Sequence, residues 1–186
     1  SICQYRKAVV PLGAAAFSLR SAVPLSRSMQ PVKVYTNVTN DLFRDEIIPR
    51  EQPALLKGLI ADWPAVKAGR QSPAALADYI ARFDAGHPVQ TAIAKPQFKG
   101  RLFYLDDMTG FNFERVPESF AAALGRILAV MDDPAPPGIY AGAVGADAFP
   151  GFASENATGL LDPSVMPRLW AGNRVVAPTH YDMSDN

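Results

Sequence analysis

Hydrophobic positions along the chain recur at helical spacing in some segments and in short extended runs in others. Ser72 followed by Pro73 is a cap and first-turn signal, and it predicts a helix over residues 73–84 that buries Leu76, Tyr79, Ile80 and Phe83. Pro117 is predicted to open a second helix over residues 117–131, with one apolar face of Phe120, Leu124, Ile127, Leu128 and Met131. Asn40 is predicted to cap a short helix that ends before Pro49.

Short runs rich in β-branched and aromatic residues predict strands. They cover residues 53–59, 88–94, 101–105, 139–144, 168–171 and 174–177. The first is apolar between turn residues and should be buried, while Gly172–Asn173 predicts a tight turn between the last two. Trp63 and Trp170 are predicted core anchors. Because helices come early and strands late, without regular alternation, the pattern favours an α+β fold with a sheet still growing at residue 186.

Composition narrows the class of protein. The chain has 186 residues, 48% of them apolar, which suits one domain with a real core. Its formal net charge of zero gives no sign of binding to nucleic acid or to an anionic membrane. The single cysteine, Cys3, excludes an intrachain disulfide and a cysteine-based zinc site. No apolar run is long enough for a membrane span, so we expect a cytoplasmic protein.

Residues 1–30 differ from the remainder. The first forty residues contain no Asp or Glu but carry five basic side chains, with a small apolar patch at residues 14–17. An organelle presequence or a secretory signal would fit part of this pattern, and so would a functionless upstream extension before a natural start at Met29. We therefore expect residues 1–30 to be an unstructured extension or a presequence, and residues 31–186 to form the folded domain.

The residues best suited to catalysis or metal binding lie at the end of the chain. His180 and Asp182 lie two residues apart in an extended segment, so both side chains are predicted on one face and Tyr181 on the other. An imidazole and a carboxylate on one face are two corners of a facial triad that holds Fe(II). A structural His–Asp hydrogen bond is the simpler alternative. The other histidine, His87, is predicted in a solvated loop between Gly86 and Pro88.

Two blocks of sequence resemble the cupin-like JmjC family of oxygenases. One is Thr179–His180–Tyr181–Asp182 with Asn186 four residues after Asp182, preceded by the turn at Gly172–Asn173. The other is the segment from Pro53 to Gly58, followed by Asp62–Trp63–Pro64. Their order and separation resemble the asparaginyl hydroxylase group that acts on hypoxia-inducible factor, and the resemblance runs from about residue 32 to the end.

The resemblance implies a double-stranded β-helix, a jelly-roll or cupin-like barrel, preceded by N-terminal helices. It also implies Fe(II) and 2-oxoglutarate as cofactors, with His180 and Asp182 as metal ligands and catalytic residues. Tyr140 and Asn186 match residues that contact 2-oxoglutarate, although a core tyrosine would explain Tyr140 equally well. Ala177 departs from the family, which has a co-substrate-binding threonine at the matching place.

The third metal ligand and a basic co-substrate residue lie on later strands in the family. We therefore expect residues 31–186 to be a truncated JmjC-type domain, with the barrel incomplete at the C-terminus, and this chain alone to be inactive. The full-length protein is expected to hydroxylate or demethylate a protein or another macromolecule. A non-catalytic cupin-like binding module and an inactive fragment remain alternatives. We expect a protein substrate as the partner, and we expect no binding to nucleic acid or to a membrane. The sequence leaves open whether the protein forms a homodimer.

Overall fold

A four-stranded antiparallel sheet organises the chain. The computed structural model describes residues 31–162 and 165–177, and the described residues from Lys33 onwards belong to one structural unit. The strands are β1 (Lys33–Thr36), β2 (Ala54–Lys57), β3 (Val89–Ala94), β4 (Phe113–Glu118), β5 (Gly138–Gly145) and β6 (Arg168–Gly172). The α-helices are α1 (Asn40–Leu42), α2 (Pro64–Gln71), α3 (Pro73–Ala81), α4 (Phe120–Ala129) and α5 (Phe152–Glu155). Tighter or wider helical turns cover Phe43–Ile47, Ile48–Arg50, Pro96–Phe98 and Ala146–Ala148.

Strands β4, β3, β5 and β6 form the main sheet in that spatial order, and every pair in it is antiparallel. Strands β1 and β2 form a separate parallel pair. This arrangement confirms a mixed helix and strand fold with an antiparallel sheet. No helix within the described part of the chain has both the length and the hydropathy to cross a membrane.

One face of the main sheet packs on the helices. The buried cluster there unites residues of α4, of β3 and β5 and of the turn after β5: Val89, Phe120, Ala123, Ala141, Val144, Ala148 and Phe149. The Phe120 and Phe149 rings meet edge to face, with centroids 5.0 Å apart. The residues between them along each strand, including Ala92 and Tyr140, face the opposite side of the sheet. We call that side the inner face.

The sequence predicted several of these elements. Helix α3 begins at Pro73 as predicted, because the Ser72 hydroxyl accepts a hydrogen bond from the Ala75 amide at 3.0 Å. Strands β3, β5 and β6 lie where the apolar runs placed them. His87 is exposed and outside regular secondary structure, which confirms the prediction of a solvated loop residue.

The beginning of α4 was predicted wrongly. Pro117 lies in β4, opposite Gln90 of β3, and the helix begins at Phe120 with Ser119 as its cap. β4 is an edge strand, where a missing amide hydrogen is tolerated. Met131 lies beyond the helix end and is 47% exposed, so the predicted apolar face ends before it. The short helix near residue 40 is likewise capped by Thr39 rather than by Asn40.

Three further predictions were also wrong. Residues 101–105 form only isolated bridges, from Arg101 to Val176 and from Tyr104 to Phe111. β2 is not buried, since it pairs only with β1 and Leu55 is 49% exposed. Trp170 is 57% exposed because it lies on the inner face, which the helices do not cover. Trp63 is half-buried, and its indole N–H donates to the Ala157 carbonyl at 3.0 Å.

The tight turn at Gly172–Asn173 does not form a hairpin. The Asn173 carboxamide accepts from the Ile139 amide at 3.0 Å and donates to the Pro137 carbonyl at 2.7 Å. These bonds tie the end of β6 to the start of β5 and turn the chain away from the sheet. Residues 174–177 then pass beside Gly100, where the Val176 amide donates to the Gly100 carbonyl at 2.9 Å. We call residues 174–177 the crossing segment.

Candidate functional site

A row of three residues runs across the inner face of the sheet. Ala92 of β3 lies opposite Arg115 of β4 on one side and opposite Tyr140 of β5 on the other. Directly paired residues share a face, so the small Ala92 side chain separates two long polar ones. Neighbouring strands lie about 4.8 Å apart, which places the Arg115 and Tyr140 backbones roughly 10 Å apart, a spacing that leaves room for a small ligand.

This row forms one wall of a cavity of about 460 Å³. Its lining comes from the inner face, from residues 102–111 and from the crossing segment, and comprises Gln90, Ala92, Leu102, Phe103, Tyr104, Phe111, Phe113, Arg115, Tyr140, Gly142, Val175 and Ala177. Most of these side chains are apolar or aromatic, with few polar groups among them. That combination is typical of binding sites for small ligands.

Gly142 allows Tyr140 to lie along the sheet. A β-carbon at Gly142 would be 2.6 Å from both the Tyr140 hydroxyl and its ring carbon Cζ, and 2.7 Å from Cδ1 of Trp170. Next to it, the pairing of β5 with β6 shifts register between Ala141 and Val144, and Ala143 has a φ of 56°. This bulge lets both Ala141 and Val144 face the helices, and leaves Gly142 beneath the Tyr140 ring.

Arg115 is the one charged residue in the lining of this cavity among the described residues. Its guanidinium carbon lies 5.5 Å from the Phe111 ring centroid and 5.9 Å from that of Phe113. Such stacking orients the planar guanidinium. The cavity therefore carries a fixed positive charge against an aromatic wall.

Part of the aromatic wall, including Phe111, belongs to a short hairpin, residues 103–112, which we call the rim hairpin. Tyr104 and Phe111 form an antiparallel bridge, and their ring centroids lie 5.0 Å apart. At its tip, the Asp107 carboxylate accepts from the Thr109 amide at 3.0 Å and from the Thr109 hydroxyl at 2.8 Å. These two hydrogen bonds lower the pKa of Asp107 below its ordinary value. The tip is therefore held as an ordered turn.

The predicted site residues separate into two groups. Tyr140 lies in the cavity wall, and Ala177, the position that departs from the family, lines the same cavity. His180, Asp182 and Asn186 lie outside the described residues. Residues 31–162 and 165–177 hold no group of three His, Cys, Asp or Glu side chains that could bind a metal ion.

Comparison with known families identifies the family of the chain. A family model described as a cupin-like domain matches residues 39–186, most of the chain. The chain belongs to the cupin-like family. A comparison with curated proteins finds no match. In this cupin-like chain, the matched region contains the sheet, the cavity and the His180–Asp182 pair alike.

Sequence reasoning missed two residues that shape this site. Arg115 was missed because a helix was predicted to start at Pro117, which hid the strand Phe113–Glu118. Within that strand, the alternation of Phe113 and Arg115 with Glu114 would have signalled a face carrying an aromatic and a cation. No sequence pattern marks Gly142 as a site residue. Its role is to leave space for the Tyr140 side chain, and it is not a turn that the local sequence would predict.

Proposed function

We propose that this cupin-like chain belongs to a JmjC-type oxygenase that uses Fe(II) and 2-oxoglutarate to hydroxylate or demethylate a protein or another macromolecule. One observation carries the proposal: the cavity on the inner face is lined both by Tyr140 and by Ala177, the last described residue before the His180–Asp182 pair. The residue predicted to hold the co-substrate and the chain leading to the predicted metal ligands therefore meet at one cavity.

Chain connectivity supports the same proposal. Three residue steps separate Ala177 from His180, and an extended chain spans at most about 3.6 Å per residue. Connectivity therefore allows at most about 11 Å between the Ala177 and His180 backbones. The proposal requires that the chain after Ala177 lead towards the cavity, so that His180 and Asp182 can act on a ligand bound there.

The donor set suits Fe(II). Neutral imidazole and carboxylate are the ligands of the two-histidine, one-carboxylate sites that leave coordination positions open. Fe(II) with 2-oxoglutarate supplies the oxidising chemistry when bound. In the proposal, His180 and Asp182 hold the metal, while the Tyr140 hydroxyl and the Asn186 carboxamide hydrogen-bond the co-substrate. Since Ala177 provides no hydroxyl, Tyr140 supplies a larger share of that binding.

The test is turnover of 2-oxoglutarate to succinate by the full-length protein, with and without Fe(II). We expect slow, Fe(II)-dependent turnover without a prime substrate, abolished by Asp182→Ala and by His180→Ala. His87→Ala is the matched control, because His87 is exposed in a loop, and it should turn over normally. Tyr140→Phe should raise the KM for 2-oxoglutarate about fivefold, the value of one hydrogen bond of about 1 kcal/mol.

A non-catalytic cupin-like binding module is the second candidate function. Ala177 favours it, since the family's threonine hydroxyl is missing from the cavity wall. The two candidates differ in one result. The full-length protein could bind a metal through His180 and Asp182 and yet turn over no 2-oxoglutarate. That result would contradict the oxygenase and support the binding module. Absence of both metal binding and turnover would contradict either function.

A further inference from the structure

Arg115 is a cation in the cavity lining to which the proposed function assigns no role. In that proposal His180 and Asp182 bind the metal, and Tyr140 and Asn186 bind the co-substrate. Arg115 is nevertheless on the inner face, directly across Ala92 from Tyr140, and its side chain is exposed to the cavity. Its position on the edge strand β4 puts it beside the rim hairpin rather than at the centre of the sheet.

No carboxylate among the described residues of the cavity lining neutralises this charge. The two acidic residues on the same strand, Glu114 and Glu118, are an odd number of positions from Arg115 and so face the other side of the sheet. Glu118 accepts instead from the Arg126 guanidinium of α4, at 2.7 Å. Within the described residues, the Arg115 guanidinium stacks on the Phe111 and Phe113 rings.

A guanidinium that lines a cavity and lies over aromatic rings is suited to binding a carboxylate. The rim hairpin beside it is unusually apolar for an exposed segment: Tyr104 is 54% exposed, Phe111 is 45% and Met108 is 68%. The ligand that complements both features carries an acidic group next to an aromatic or aliphatic one. A nucleic acid backbone would need several cations in a row, whereas this cavity lining provides Arg115 alone among the described residues.

We propose that Arg115 binds an acidic side chain of a protein substrate at the cavity edge, while the rim hairpin packs against an apolar residue adjacent to it. This inference rests on the proposed function, because it treats the bound peptide as the substrate of the oxygenase. Arg115 is then a specificity residue: it selects which peptide enters and takes no part in holding the co-substrate.

The experiment uses the full-length protein in EDTA, so that neither iron nor turnover is needed. Two blocked dipeptides serve as probes, acetyl-phenylalanyl-glutamate amide and its glutamine counterpart, which has nearly the same shape without the charge. Ligand-observed NMR titration gives the Kd of each. We expect the glutamate probe to bind about fivefold more tightly, corresponding to about 1 kcal/mol for a partly exposed ion pair.

Arg115→Gln should remove this preference without changing the Kd of the glutamine probe. Arg82→Gln is the matched control, because Arg82 is also stacked on two rings, Tyr79 at 4.6 Å and Phe83 at 5.2 Å, but lies on the helix side of the sheet. It should keep the preference. Equal binding of the two probes by the wild-type protein, or a preference that survives Arg115→Gln, would overturn the inference.

A second measurement separates this inference from the proposed function. If Arg115 binds substrate, Arg115→Gln should leave the KM for 2-oxoglutarate unchanged in the turnover assay. A KM raised by the same factor as the lost probe affinity would assign Arg115 to the co-substrate carboxylate and refute the substrate role. If the protein discriminates between the probes but does not turn over 2-oxoglutarate, peptide binding at Arg115 is supported and the proposed oxygenase activity is contradicted.

Discussion

Gly100 should be the glycine whose replacement most disturbs the cavity. Its φ is +78°, and a β-carbon there would overlap the Arg174 carbonyl oxygen and lie 3.0 Å from its carbonyl carbon. Both neighbours are backbone atoms, so no side-chain rotation relieves the overlap. The crossing segment would have to move away, breaking the hydrogen bonds from the Val176 amide to Gly100 and from the Leu102 amide to Val176.

The magnitude of Gly100→Ala follows from these contacts. The left-handed backbone costs about 1 kcal/mol for alanine, and two hydrogen bonds contribute about 0.5–1.5 kcal/mol each. The free energy of unfolding should therefore fall by about 2–4 kcal/mol, measured by urea denaturation of the full-length protein. Amides of the crossing segment should also exchange faster with deuterium.

Gly86→Ala is the matched control for this prediction. Gly86 has nearly the same φ, +75°, but a β-carbon added to it would have no atom within 4 Å, so only the backbone cost of about 1 kcal/mol applies. If Gly100→Ala destabilises the protein no more than Gly86→Ala, the crossing segment does not rest on Gly100, and our account of this wall of the cavity is wrong.

Three further variants, with Met131→Ala as a control, test the packing around the main sheet. Phe120→Ala should cost about 3–5 kcal/mol in urea denaturation because Phe120 is 1% exposed, whereas Met131→Ala should change the stability by less than about 0.5 kcal/mol. Asn156→Ala should cost about 2–3 kcal/mol, since it strips a partner from the Ala65 amide, the Tyr79 hydroxyl and the Phe152 carbonyl. Gly142→Ala should displace the Tyr140 ring and raise the KM for 2-oxoglutarate at least as much as Tyr140→Phe; an unchanged KM would contradict the packing described.

Local signals were enough to predict the elements that depend on neighbouring residues. The cap at Ser72 and the apolar spacing after it located α3, and the β-branched run before Lys95 located β3. Pro117 misled because proline suits both the first turn of a helix and an edge strand. Only the pairing of β4 with β3 shows which applies, and that pairing joins residues far apart in the sequence.

The site was less predictable than the fold elements for the same reason. Tyr140 could be proposed from a resemblance, but whether it faced a cavity or the core depended on which side of the sheet the helices cover. Asn173 looked like a hairpin turn, yet its carboxamide bonds to Pro137 and Ile139 and directs the chain towards Gly100 instead. The face that a strand buries and the direction of the chain after a turn depend on contacts between distant segments, so a local sequence pattern does not predict them.

The two faces of the main sheet differ most in the size of their central side chains. On the helix side, Phe120 and Phe149 fill the space over β5 and are each 1% exposed. On the inner face, the positions beside Tyr140 are small: Ala92 lies between Tyr140 and Arg115, and Gly142 lies two residues beyond Tyr140 on β5. Because close packing leaves few voids in a protein core, a floor of small residues beside long polar ones keeps a cavity open only if the fold is held elsewhere. The aromatic cluster beneath the helices provides that stability, which leaves the inner face available for binding.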